Sequence, residues 1–512
     1  MRRVATVRNV YFDSVFLMSI TTQVKAATGV VYGMLGMGTP ANCQVIVDAG
    51  FDPADLADAT PNDLLIAVEA DDKAAAIAAI ARAEELVSGA AGPTTAAVGG
   101  GAGPAVSLPA ATAGLAGANL ALISVPGEYA AREAAAALDA GLHAMVFSDN
   151  VSLEDEVWLK QSAHDRGLLV MGPDCGTAAL NGIPLGFANV VRRGPVGLVG
   201  ASGTGMQEVM CLLDRLGAGV SQAIGTGGRD VGAAVGAITA LDAIAALASH
   251  PETQVIGFVS KPPDPTVAGR ILDALAAAGK PAVAAFLGAA QLEPPAGVQV
   301  VDDLTAAALG MLQAAGLAAP ADWQAAGERP SAAQLAANIG AGRRFVRGLF
   351  CGGTLAAEAE DVLSARLGVL HATHARPGVA TELVDPHRSI EHTVVDMGDD
   401  AFTQGKPHPM IDPAERNERL RRELSDDQVA LILIDCVLGY GSHDDPAGAM
   451  EEALDASRAA GVPVLASVAG TEGDPQRRSR QVETLQRLKC VVLPSNRIAA
   501  QVAADVVGEL AR

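Results

Sequence analysis

The apolar residues of this chain fall into short runs separated by amphipathic stretches, a pattern that predicts buried strands alternating with covering helices. Strand-like runs at 4–10, 29–35 and 63–68 are interleaved with helix-like ones at 14–27 and 71–86, the order of a small α+β sandwich. Residues 88–117, SGAAGPTTAAVGGGAGPAVSLPAATAGLAG, have the composition of a linker. A second segment then predicts strands at 120–125, 143–147 and 167–171 and helices at 129–140 and 153–165. A third places strands at 196–199, 219–224, 255–259 and 281–286 around helices at 203–216, 231–249 and 267–278. After another linker, about 314–342, strands at 345–351, 429–434, 464–468 and 491–493 alternate with helices at 355–367, 448–460 and 476–488. Continuous apolar strands between helices predict parallel sheets covered on both faces. The expected fold class is α/β. Rossmann-like and flavodoxin-like parallel-sheet modules at 118–192, 193–315 and 343–512 follow a small α+β domain at 1–87, with linkers at 88–117 and 316–342.

Composition narrows the function classes. The chain has 512 residues, half of them apolar and 18% charged, which excludes a disordered protein. Aromatic residues make up only 3%, so Ala, Val, Leu and Ile build the core. With 36 Lys and Arg against 58 Asp and Glu the net charge is −22, which disfavours a nucleic-acid partner. The six cysteines show no CxxC pair, and no histidine spacing suits a metal. The N-terminal segment lacks the apolar core of a signal peptide, and the long uncharged run at 89–127 is Gly, Ala, Pro and Thr rather than a membrane helix. A reduced, cytoplasmic protein without membrane or metal is expected.

Candidate chemistry clusters where strands end. Gly200-Ala201-Ser202-Gly203-Thr204-Gly205 follows the 196–199 strand and opens a helix through Glu208. Glycines let backbone N–H groups approach a ligand, and the helix N-terminus favours an anion. A second turn, Gly225-Thr226-Gly227-Gly228-Arg229-Asp230, repeats the placement, with Arg229 as a bidentate candidate. Parallel strands put both turns on one sheet edge, where open α/β sheets bind ligands. A plain βα turn that needs glycine for packing is the competing reading. Asp149-Asn150 and Gly172-Pro173-Asp174-Cys175 end strands in the second segment, and Cys175 is read as a buried thiol. Six of nine histidines fall in the last module. Two of its loops, 396–413 with Lys406 and His408, and 435–446 with Asp435, Gly439, Gly441 and His443, are rich in Asp and His. His408 and His443 are candidate acid/base groups.

With these loops in view the chain resembles the FdrA family, itself similar to succinyl-CoA synthetase rearranged into one polypeptide. Residues 118–315 resemble the synthetase α-subunit: Gly172 to Cys175 stand at its Gly-Pro-Asn-Cys turn, Ser202-Gly203-Thr204 through Glu208 at its Ser-Gly-Thr helix start, and Gly225 to Asp230 at its second glycine loop. Residues 343–512 resemble the C-terminal ligase domain of the β-subunit, and MGTPAN, FSDNVSLEDE, GKPHPMIDP and LGYGSHDDP look specific to FdrA. Two departures stand out. Residues 287–301 contain no histidine where the synthetase has its phosphohistidine, and no ATP-grasp domain has a counterpart. The resemblance therefore implies the phosphate-handling subunit of a carbamoyltransferase of purine (allantoin) degradation, which interconverts oxalurate plus phosphate with oxamate plus carbamoyl phosphate. It also implies two companion subunits and small anionic substrates; a homodimer is expected, and no cofactor is required, CoA or a nucleotide being possible only. In that reading Ser202, Gly203, Thr204, Gly225, Gly227, Gly228, Arg229, Asn150, Asp174, Lys406, Gly439 and Gly441 contact phosphate or substrate. His408, His443, Glu208 and Asp435 are the catalytic candidates. An acyl-CoA synthetase or CoA-transferring enzyme is the alternative, and an anion-binding scaffold the non-enzymatic one.

Overall fold

A computed structural model describes all residues except 9, 11, 13, 26, 92–104, 106, 289–291, 325–329, 405 and 512. It divides into two compact units, Met1–Ala111 with Thr403–Asp412, and Thr112–Phe402 with Pro413–Arg512.

In the first unit, Leu64–Ala70 is the centre of an antiparallel sheet flanked by Arg2–Val7 and Val30–Met37. Side chains alternate across a strand. Leu64, Ile66 and Val68 therefore pack beneath the helices Ser14–Lys25 and Lys73–Ala91, while Leu65 and Ala67 meet Ile46, Phe51 and Leu56 on the opposite face. Burial of both faces explains why the strand reads LLIAVEA without polar alternation. The helix Pro40–Asp48, capped by Thr39, supplies the second face and is absent from the sequence expectation. The 403–412 segment, expected within the last module, is grouped with this unit.

The described residues of the second unit form three sheets. Leu120–Ile123, His143–Val146 and Val170–Met171 form a parallel one. The next runs Val298–Val301, Ala282–Phe286, Val255–Ser260, Val196–Gly200, Val220–Gly225, all parallel, and ends in the antiparallel hairpin Thr177–Leu180 and Ile183–Gly186. The last has seven parallel strands in the order Thr381–Glu382, His371–Ala372, Thr393–Asp396, Phe345–Phe350, Val429–Val437, Val464–Ala469, Val491–Leu493. The expected α/β class and parallel sheets are what the structure shows.

Several elements depart from expectation. The hairpin turns at Asn181-Gly182, both left-handed (φ 53° and 79°), the dipeptide that two-residue hairpin turns favour. It carries the 118–192 region into the sheet of the following module. The helix expected at 231–249 starts only at Ile238, because Gly236 and Ala237 both have positive φ. The helices Leu304–Ala314, Ala414–Leu424 and Asn496–Leu510 are additional. Ala414–Leu424 hides from an apolar pattern because it buries charges: Arg416 pairs with Asp435 and Arg419 with Glu423.

Candidate active site

The fully buried strand Val196–Gly200 feeds the helix Gly203–Arg215 through Ser202, whose Oγ accepts the Gly205 N–H at 3.1 Å. Gly200 is needed there, since a Cβ would stand 2.6 Å from the Met206 side chain. In the last module Phe345–Phe350 feeds the helix Gly353–Leu367 in the same way. The two helices meet end to end. Ser202 Oγ and Thr354 Oγ1 are 2.6 Å apart, and a Cβ on Gly352 would come within 2.9 Å of the Thr204 side chain. Each helix start carries about half a positive charge, so their approach builds a local positive field within an acidic protein.

Two catalytic candidates turn out to be framework. Glu208 is buried, accepts the Asn496 N–H at 3.2 Å, and has its carboxyl pushed up by burial, so it holds the Asn496–Leu510 helix instead of facing an open site. Asp435, also buried, accepts the N–H groups of Cys351 and Gly352, each at 2.8 Å, and pairs with Arg416 at 3.1 Å. It thereby fixes the turn that opens the Gly353 helix.

The second glycine turn is a packing turn. A Cβ on Gly225 would stand 2.6 Å from Cys175 Sγ, and Gly227 (φ 80°) lies against Pro173 and Gly172. Gly228 has open space around it. Arg229, expected to grip an anion, is already engaged: its Nε lies 2.7 Å from Glu156 and its Nη2 donates to the Val151 carbonyl at 2.9 Å. Beneath it, buried Lys160 donates to Glu156 (2.8 Å), Asp230 (2.9 Å) and the Thr226 carbonyl (2.9 Å). That lysine organises the turn, and only its apolar helical spacing in LEDEVWLKQSAHD hints at its burial.

Asn150 and Asp174 sit in left-handed backbone (φ 54° and 57°), and burial, reinforced by Asp149, raises Asp174 to about 6. The Cys175 thiol is pushed up to about 12 by burial, as a buried thiol should be. The 435–446 loop is docked on residues 187–190. Tyr440 N–H donates to the Ala188 carbonyl (2.9 Å), Asn189 donates to the Leu438 carbonyl (2.9 Å), Gly439 has φ 111°, and a Cβ on Gly441 would come within 2.7 Å of Phe187. Gly439 and Gly441 thus allow close packing. His443 is half-buried, its Nδ1 accepting the Asp445 N–H at 3.0 Å. His408 Nδ1 accepts the Met410 N–H at 3.2 Å; it and exposed Lys406 belong to the first unit.

A cavity of about 240 Å³ opens at the start of the Gly353 helix, with Lys261, Glu360, His374, Arg376 and Asp396 on its wall. Burial pushes Glu360 up to about 7 and Asp396 up to about 6, while Lys261 draws both back toward ionisation. Of these residues the sequence pattern reaches only Asp396, at the start of the 396–413 loop, although Glu360 in the apolar helix LAAEAEDVL is a buried carboxylate legible in the pattern.

Residues 349–506 match a family model described as CoA-ligase, 191–288 one described as CoA binding domain, and 1–101 one described as AllF, heavy metal-associated domain. The chain is similar to the uncharacterized protein YahF of Escherichia coli (strain K12), 41% identical over 484 residues and 93% of each chain. It is also similar to the α-subunit of the ADP-forming succinate–CoA ligase of Aquifex aeolicus (strain VF5), 33% identical over 155 residues, 28% of this chain and 48% of that one. Among solved structures it is similar to the dinucleotide-forming acetyl-coenzyme A synthetase 1 of Ca. Korarchaeum cryptofilum, with 18% identity, 77% and 83% of the two chains covered and a TM-score of 0.31. The donor set of the N-terminal unit does not fit the metal in its family model's description: residues 1–101 hold one cysteine, Cys43, and no histidine. Among the described residues no group of three or more His, Cys, Asp or Glu is placed to hold an ion. No helix of the described residues is long and apolar enough to cross a membrane. With CoA-ligase and CoA-binding domains in one polypeptide and 93% of its length aligned to YahF, the chain belongs to the FdrA-like, acyl-CoA-synthetase-like family that includes YahF.

Proposed function

We propose that this chain is an acyl-CoA-synthetase-like transferase that exchanges an acyl group between phosphate and the thiol of CoA. The observation that carries the reading is the end-to-end meeting of the Gly203 and Gly353 helices across Ser202 and Thr354. As the acceptor sulfur attacks the acyl carbon, the carbon–oxygen bond to phosphate breaks and the departing oxygen takes the electron pair. The thiol proton passes to solvent or to a carboxylate of the adjoining cavity. Charge grows on phosphate in that step, and fixed N–H groups and hydroxyls stabilise it most when they are already oriented. The Gly203, Thr204 and Gly353 starts and the Ser202 and Thr354 hydroxyls supply these donors, while Asp435 and Arg416 keep the Gly353 turn in place. No step runs through a phosphohistidine, since 287–301 holds none.

Carbamoyl transfer is the second reading, with an amide nitrogen in place of the thiol. The small acid-lined cavity beside the junction favours it, because a cavity of about 240 Å³ is below the roughly 300–1,000 Å³ of pockets that enclose larger ligands. Phosphate release by the full chain, measured with acetyl phosphate and CoA and with carbamoyl phosphate and oxamate, separates the two. Release dependent on CoA supports the first reading, and release dependent on oxamate the second. Release independent of any acceptor refutes both.

A further inference from the structure

Two arginines of this acidic chain stand side by side without a counter-charge. Arg215 closes the Gly203–Arg215 helix, and its Nη1 donates to the Pro494 carbonyl at 2.8 Å. Arg478 opens the Arg478–Arg487 helix, and its Nε donates to the Val468 carbonyl at 3.4 Å. Those carbonyls lie at the C-terminal ends of neighbouring parallel strands, Val464–Ala469 and Val491–Leu493, in which Ser467 is opposite Leu493. The anchor points are therefore one strand spacing, about 5 Å, apart. Both side chains are half-buried, and neither has an ion pair among the described residues. Glu208 and Glu472, whose charges act on them, are engaged elsewhere. Glu208 accepts the Asn496 N–H at 3.2 Å, and Glu472 accepts the Ser479 N–H at 2.7 Å and its hydroxyl at 2.8 Å. Burial, reinforced by the Arg215 charge, presses Arg478 down to about 10. Like charges held this close and partly out of water destabilise each other until an anion joins them.

Arg215 also stands on the wall of a cavity of about 180 Å³, with Leu212, Leu216, Pro320, Asp322 and Trp323. Asp322 is exposed and beyond ion-pair distance of Arg215, and the rest of the wall is apolar. The arginine pair lies at the C-terminal ends of parallel strands, the edge at which open α/β sheets take ligands. It is separate from the helix junction, because Ser202 caps the other end of the same 13-residue helix, about 20 Å away at 1.5 Å per residue.

The charge count defines the ligand. Two positive charges one strand apart call for a dianion with an oxygen for each. A monocarboxylate neutralises only one of them, and free phosphate leaves the apolar wall uncovered. We propose that Arg215 and Arg478 grip the phosphate of a small organic phosphate whose flat, apolar body lies in the cavity against Trp323. Among the described residues the cavity is lined by no histidine, cysteine, serine or threonine, so this ligand is an effector and not a reactant. The assignment stands independently of the transferase reading.

The test is titration of the full chain with phenyl phosphate, inorganic phosphate and benzoate. It uses a Trp158→Phe background, in which exposed Trp158 is removed and Trp323 alone reports. Phenyl phosphate is expected to change the Trp323 emission, to raise the melting temperature, and to bind at least about tenfold more tightly than the other two, since each of them lacks one of its contacts. Arg478→Gln and Arg215→Gln should each weaken it at least about tenfold, the scale of a charge-assisted hydrogen bond. Arg478→Gln should also keep or raise the melting temperature of the unliganded chain by relieving the repulsion, whereas losing an arginine that only holds the fold would lower it. Ser202→Ala should leave the affinity unchanged, because its hydroxyl lies at the far end of the helix. An unchanged emission at millimolar phenyl phosphate, or equal affinity for inorganic phosphate or benzoate, overturns the assignment. So does unchanged affinity or a lowered melting temperature in Arg478→Gln, or weakened binding in Ser202→Ala.

Discussion

Replacing Asp435 by Asn tests how the Gly353 helix start is held. The native carboxylate accepts two N–H groups at 2.8 Å, one per oxygen, and neutralises Arg416, itself 2% exposed. An amide of the same shape turns one acceptor into a donor facing an N–H, and it leaves the guanidinium without a counter-charge. An unsatisfied buried donor costs about 1–3 kcal/mol, and breaking a buried ion pair about 3–5 kcal/mol. The two penalties share atoms, so the expected loss is about 3–5 kcal/mol rather than their sum. Both tryptophans, Trp158 and Trp323, lie in the second unit, so their fluorescence in urea follows its unfolding. The amides of Cys351 and Gly352 should also lose protection from hydrogen exchange in the variant. The companion Arg416→Met in the Asp435→Asn background should recover part of the loss, since it removes the orphaned charge. An Asp435→Asn protein within about 0.5 kcal/mol of the parent, with both amides still protected, would refute the argument.

The buried Lys160 bridge gives a second expectation: Lys160→Met leaves buried Asp230 without a counter-charge and Glu156 with Arg229 alone, and should destabilise the second unit by about 3–5 kcal/mol in the same urea assay, whereas trimming half-exposed Arg229 to Ala should cost far less. For pH, burial raises Glu358 to about 8, Glu360 to about 7 and Asp396 to about 6, all above their ordinary values. The folded state thus holds these protons more tightly than the unfolded one, and the stability they contribute is complete below about pH 4 and lost as pH rises through 6, 7 and 8. At about 1.4 kcal/mol per pKa unit, fully buried Glu358 alone contributes on the order of a few kcal/mol, so the urea midpoint should fall between pH 6 and pH 9 and fall less in Glu358→Gln; a midpoint rising over that range contradicts it.

Strand and helix placement was largely legible because buried parallel strands leave unbroken apolar runs, as in Val196–Gly200 and Val429–Val437, and Leu153–Asp165 and Val491–Leu493 fall where the pattern puts them. The Asn181-Gly182 hairpin carried its signal in plain sight but was masked by the expectation of an all-parallel order. Ala414–Leu424 was hidden because its buried face is made of arginines, which pattern reading assigns to solvent. For the site, the Ser202 turn emerged because a cap, glycines and a strand end coincide. Its partner at Gly352–Thr354 did not, because nothing local in the chain tells that residues 152 positions apart will share a hydrogen bond. The same holds for Gly225, Gly439 and Gly441: a glycine needed for a ligand and one needed for a neighbouring carbonyl or ring look alike until the neighbour is known.

The junction of the two helices is the centre of the account, and acceptor-dependent phosphate release in Ser202→Ala is its most direct test. The Oγ of Ser202 touches Thr354 and caps its own helix, and removing a cap alone costs about 1 kcal/mol, so the variant should remain folded. The account predicts that the full chain releases phosphate from acetyl phosphate or carbamoyl phosphate when the matching acceptor is present, and that Ser202→Ala lowers this rate by about 10²-fold with its melting curve nearly intact. An unchanged rate in Ser202→Ala would show that the anion is handled elsewhere and would contradict the central claim.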